Sequence, residues 1–172
     1  MGKKIVVSFP GARGCEIPLL YFGAKHFEDK GYEKRFISYP LNREITLENV
    51  LNNALEMLRD IEWGEYEDIV FVAKSLGTVV SCMVKERLAI PARLILLTPL
   101  EETLPYIRKE NAVLLTAMGD RDHYLAAPRL TELCEQEGIT CHIEPGIGHR
   151  MEVLNDLRRN LEIVFRVVRL LE

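Results

Sequence analysis

The sequence predicts an α/β fold, a three-layer sandwich around a mostly parallel six-stranded sheet, and three observations lead there. Apolar residues switch repeatedly between the period of a strand and the period of a helix along the chain. The strand segments are continuously apolar, as strands covered on both faces are, rather than alternating with polar residues. No internal repeat and no Ser/Pro-rich linker interrupts the pattern, so residues 1–172 are expected to form one domain.

The elements follow in order. The first strand is expected at Lys4–Phe9, stopping at Pro10. Ile17–Lys30 reads as a helix closed by Gly31, a residue suited to the left-handed position after a helix. A second strand is expected at Lys34–Tyr39. Leu47, Val50, Leu51, Ala54, Leu55, Leu58 and Ile61 then fall on one helical face, with Thr46 placed to cap it. The third strand, Asp68–Ala73, runs almost directly into a helical pattern carrying Val79, Val80, Met83 and Val84. Leu94–Thr98 and Val113–Met118 are the fourth and fifth strands. Leu130, Leu133 and Cys134 form a further helix face between Pro128, suited to a first turn, and Gly138, suited to a stop. Thr140–Glu144 is the sixth strand. The last helix is expected from Met151 to Glu172, with Leu154, Leu157, Leu161, Val164, Phe165 and Val168 packed on the sheet. Ile163, Val167 and Leu170 add a second apolar face, expected to lie in a crevice or a dimer contact, with the crevice preferred.

Composition narrows the partners. A net charge of −4 with no Lys/Arg block leaves no electrostatic footprint for nucleic acid or an anionic membrane. The apolar run before Pro10 is too short for a signal peptide, and position 6, where myristoylation wants Ser or Thr, is Val6. A cytoplasmic location is expected. Cys15, Cys82, Cys134 and Cys141 are scattered, without C-x-x-C spacing, and read as buried or incidental thiols. Successive side chains of a strand face opposite sides, so Cys141 and His142 do not share a metal. Neither a metal nor an organic cofactor is expected.

In open parallel sheets the ligand sits beyond the carboxyl ends of the strands, so the residues after each strand matter most. Ala73-Lys74-Ser75-Leu76-Gly77 joins a strand to a helix with serine at the apex. The positions two before and two after the serine must be small, because strand and helix backbones nearly touch there. Ser75 is either a nucleophile in a strained turn or a serine capping the helix. The fifth strand leads into Gly119-Asp120-Arg121-Asp122, with two carboxylates, and the sixth into Gly146-Ile147-Gly148-His149.

Taken together, the turn and the chain order Ser, Asp, His resemble the α/β-hydrolase family over nearly the whole chain, with alanine in place of the first glycine of G-x-S-x-G. The resemblance selects Asp122 over Asp120 as the acid and His149 as the base beside the Ser75 nucleophile. For the oxyanion it implies the backbone N–H of Leu76 and one on the Phe9-Pro10-Gly11-Ala12 loop. Ala12 is preferred there, with Gly11 and Arg13 still open. The stretch Pro99–Ile107 leaves no room for the cap that many members insert, so the chain resembles a trimmed core of that fold. The implied activity is a serine hydrolase acting on a small ester or thioester through an acyl-enzyme. Arg13 and Tyr124 are candidates for substrate contacts, with surface charge and packing as their plainer readings. The competing readings are a non-catalytic binding protein on the same fold, an acyltransferase using the same triad, and a nucleotide-binding protein. The last lacks both common phosphate-loop motifs. Oligomeric state is not readable from these residues.

Overall fold

The computed structural model describes residues 2–39 and 46–172. Its framework is one six-stranded sheet in the order β2-β1-β3-β4-β5-β6, parallel throughout. The strands are β1 (Lys3–Phe9), β2 (Glu33–Phe36), β3 (Tyr66–Lys74), β4 (Arg93–Leu97), β5 (Val113–Gly119) and β6 (Thr140–Glu144). The helices are α1 (Pro18–Glu28), α2 (Leu47–Met57), α3 (Leu76–Arg87), α4 (Ala127–Glu137) and α5 (Leu157–Arg169). Alternate residues of the central strands feed two separate cores. Ile69, Phe71 and Ala73 of β3 pack with α2, α3 and α4, whereas Val70 and Val72 pack with α1 and α5. Among the described residues no helix is long and apolar enough to cross a membrane.

Local signals set most boundaries. The Thr46 hydroxyl accepts from the N–H of Asn49 at 3.2 Å and opens α2. Gly138 closes α4 in the left-handed conformation, at φ 66°.

Two expectations are corrected. β2 ends at Phe36 rather than reaching Tyr39. Being an edge strand, it pairs with β1 alone, and its last rung runs from the Ile37 N–H to the Ser8 carbonyl at 3.0 Å. The next rung of a parallel ladder would need an N–H from Pro10, which has none. The Ile37 carbonyl instead accepts from the Cys15 thiol at 3.3 Å.

The second correction concerns the last helix, which begins at Leu157 rather than Met151 and shows the opposite face to the sheet. Ile163 and Val167 are buried, while Leu154, Leu157, Leu161 and Phe165 are exposed. Two apolar stripes compete for one contact, and polar anchors decide between them. Asn160 bonds both the N–H and the carbonyl of Val153, at 2.6 and 2.9 Å. Arg166 forks onto the buried Glu144 carboxylate at the end of β6, at 2.6 and 3.1 Å. These anchors turn the Ile163–Val167 side inward.

Candidate active site

The connection from β1 crosses to the edge strand β2 and the chain then returns to β3 on the other side of β1, so the direction of winding reverses between β1 and β3. A crevice opens at such a reversal, beyond the carboxyl ends of the strands. Ser75 stands there, between β3 and α3, with φ 55° and ψ −124°. A non-glycine residue in this region costs about 1–3 kcal/mol and persists only where its surroundings enforce it. Close packing supplies the constraint: a β-carbon on Gly77 would lie 2.1 Å from the Phe9 carbonyl oxygen. The Ser75 side chain makes no capping bond to α3. Its hydroxyl lies 2.8 Å from His149 Nε2 instead, which removes the capping reading.

His149 follows β6 in the loop leading to α5. That loop lies hard against the end of β5, where a β-carbon on Gly119 would fall 1.9 Å from the Ile147 carbonyl oxygen. The same strand end carries Asp122, whose Oδ2 is 2.7 Å from His149 Nδ1 and whose Oδ1 accepts from the Tyr124 N–H at 2.9 Å. The Asp122 side chain is fully buried. Burial pushes its pKa up, but the bonds from His149 and Tyr124, and the charge of a protonated His149, outweigh burial and hold the carboxyl below the usual carboxylate range. Asp120 has a separate task. Its Oδ1 accepts from the Gly146 N–H at 2.7 Å and ties the turn after β6 to the end of β5.

The loop after β1 runs beside the serine: a β-carbon on Gly11 would lie 2.9 Å from that of Ser75. Ala12 and Arg13 are the exposed central residues of a turn closed by the Gly14 N–H on the Gly11 carbonyl, at 3.3 Å. Leu76 is the first residue of α3. Arg13 pairs with Glu152 at 2.8 Å, bridging this loop to the segment after His149. Tyr124 is half exposed, its ring 4.5 Å from that of His149 and 4.1 Å from that of His123, which itself lies 6.2 Å from His149.

Thus Ser75, Asp122 and His149 form one hydrogen-bonded chain, Tyr124 flanks it, Gly11 and Leu76 border the serine, and Ala12 follows Gly11 in the exposed turn. Sequence reasoning passed over Lys74, Thr98 and Glu152. Lys74 occupies a variable position of the turn motif, and its only signal was a lysine closing an otherwise apolar strand end. The arrangement offers a hydroxyl, an imidazole to take its proton, and a carboxylate to orient the imidazole.

No protein-family model and no curated protein sequence matches the chain. Solved structures do. An alpha-beta serine hydrolase homologue from Coxiella burnetii superposes with a TM-score of 0.70 at 17% identity, over 99% of this chain and 85% of that one. A protein of Xanthomonas campestris pv. campestris assigned to the alpha/beta superfamily of hydrolases gives 0.69 at 17%, over 99% and 98%. Est1E from Butyrivibrio proteoclasticus, in a structure with ferulic acid bound, gives 0.66 at 14%, over 99% and 88%. Sequence identity this low speaks for architecture, and the architecture agrees along nearly the entire chain: this protein has the α/β-hydrolase fold.

Proposed function

We propose that the protein is a serine hydrolase that cleaves a small ester or thioester through an acyl-enzyme. The observation that carries the reading is the pair of bonds from Asp122 to His149 and from His149 to a Ser75 held in a strained turn. With Asp122 accepting from Nδ1–H, His149 Nε2 has a free lone pair directed at the Ser75 hydroxyl, a tautomer assigned from the bonding pattern. A serine hydroxyl is a weak nucleophile near neutral pH and needs such a base.

The steps follow. Ser75 Oγ attacks the carbonyl carbon while its proton passes to Nε2, and the carbonyl π electrons move onto oxygen. Asp122 stabilises the imidazolium that forms. The N–H groups of Leu76 and Ala12 are the donors assigned to the negative oxygen; the first opens α3, where the helix dipole adds positive potential. Collapse of the tetrahedral adduct breaks the bond to the alkoxide or thiolate, which takes the proton from Nε2. Water then repeats the sequence on the acyl-serine and restores the free hydroxyl. Tyr124 and Arg13 border the space the leaving group or acyl chain would occupy.

The test is a panel of acyl esters and thioesters of graded chain length, with Ser75→Ala and His149→Ala as controls. The reading expects turnover by the wild type and losses on the order of 10⁶ in kcat for either variant. Equal rates in wild type and Ser75→Ala would remove the serine mechanism. Wild-type protein that neither turns over nor reacts with a fluorophosphonate would favour the binding-protein reading.

A further inference from the structure

Lys74 sits between the strand and the serine, yet the triad chemistry makes no use of it. It closes β3 on the face that carries Val70 and Val72, and only 5% of it is exposed. Its ammonium donates to two neutral oxygens, Thr98 Oγ1 at 2.9 Å and the backbone carbonyl of His149 at 3.0 Å. Thr98 follows β4 and holds a positive φ of 46°. One buried cation therefore joins the ends of β3 and β4 to the peptide of His149. It also lines a cavity of about 100 Å³ together with the apolar side chains of Ile17, Leu19, Met151 and Val164. An unbranched apolar side chain would fill this place at less expense, since burying a lysine charge is unfavourable unless something needs it.

We propose, resting on the hydrolase reading above, that Lys74 is a positioning residue: it holds the backbone of His149 against the ends of β3 and β4 and so keeps the imidazole on the Ser75 hydroxyl. The loop that carries His149 belongs to neither a strand nor a helix and is threaded with Gly146 and Gly148, so it depends on such ties for its shape. The charged groups acting on Lys74 are few. Asp122 after β5 and Glu152 after His149 favour its protonated form, while Arg13 on the loop after β1 opposes it. Burial, with Arg13 acting in the same direction, outweighs the two carboxylates and pulls its pKa down to about 8. Lys74 thus remains largely protonated at neutral pH, where its bonds are charge-assisted and about twice as strong as neutral ones.

The sign of the stability effect follows. A lysine whose folded pKa lies below its unfolded value near 10.4 destabilises the fold, by its full amount below about pH 8, and this penalty fades as pH rises toward the unfolded value. The experiment is Lys74→Met, which keeps an unbranched side chain and removes the charge and both donors. Against a soluble ester, kcat is expected to fall by about 10- to 100-fold, the scale of a misplaced catalytic group, with KM within about twofold. Tm is expected to rise, and the gap to wild type to narrow above pH 8. A purely structural lysine would behave in the opposite way. Unchanged kcat, or a lower kcat accompanied by a lower Tm or loss of folding, overturns the proposal. Ser75-dependent turnover that is undiminished in Lys74→Met removes the clamp alone, whereas wild-type protein lacking Ser75-dependent turnover removes the triad reading and the clamp with it.

Discussion

Asp120 and Asp122 stand two residues apart after β5, and the backbone sends them to different partners. Asp122 turns inward to His149 and the Tyr124 N–H, and Asp120 turns toward the Gly146 N–H. Asp122→Asn is therefore expected to lose on the order of 10⁴ in kcat, because an amide in that place favours the wrong imidazole tautomer. Asp120→Asn is expected to lose little, since an amide oxygen still accepts from Gly146. Steady-state kinetics on both variants decide the matter, and the reverse ranking would show that Asp120 is the acid. From the residues alone the two carboxylates were equivalent, and only the resemblance separated them. Lys74 offered only the signal of a lysine closing an apolar strand end, because its significance lies in a bond to the backbone of a residue 75 positions away.

Among the elements, the strands were easy to place, since continuous apolar runs such as Ile69–Ala73 have few other uses. The departures occurred where a single polar or imino group overrules an apolar pattern. Pro10 withholds one N–H and shortens β2, and Asn160 and Arg166 rotate α5 away from the face that its leucines suggested. The rotation has a measurable consequence. Ile163→Ala removes a fully buried side chain and is expected to destabilise by about 2–4 kcal/mol, whereas Leu161→Ala on the exposed stripe should stay within about 0.5 kcal/mol. Urea denaturation of the two variants checks this. Comparable losses would mean that both faces of α5 are covered in solution.

At the scale of the whole molecule, the carboxyl-end position of the crevice follows from parallel winding, and this much was readable from the alternation of elements, whereas the strand order came from the structure. The connection after β4 contains only two short 3₁₀ turns, Glu101–Tyr106 and Lys109–Asn111, and the first buries Thr103 and Leu104. It forms no separate layer over Ser75. A site walled by strand-end loops has limited apolar surface for a long acyl chain. Each buried CH₂ adds about 0.8 kcal/mol, roughly fourfold in kcat/KM, while there is wall to cover it. Activity on soluble esters is expected to level off after a few carbons. A steady gain out to lipid-like chains, measured below their micelle concentration, would show that another surface completes the site.

The central claim is that Ser75 carries the acyl group, and trapping that intermediate tests it most directly. Wild-type protein quenched in acid during turnover of an activated ester, then digested and mapped by mass spectrometry, is expected to carry one acyl group on the peptide containing Ser75. The adduct should accumulate in a burst stoichiometric with protein and be absent from Ser75→Ala. An acyl group on a different residue, or undiminished turnover in Ser75→Ala, would contradict the account.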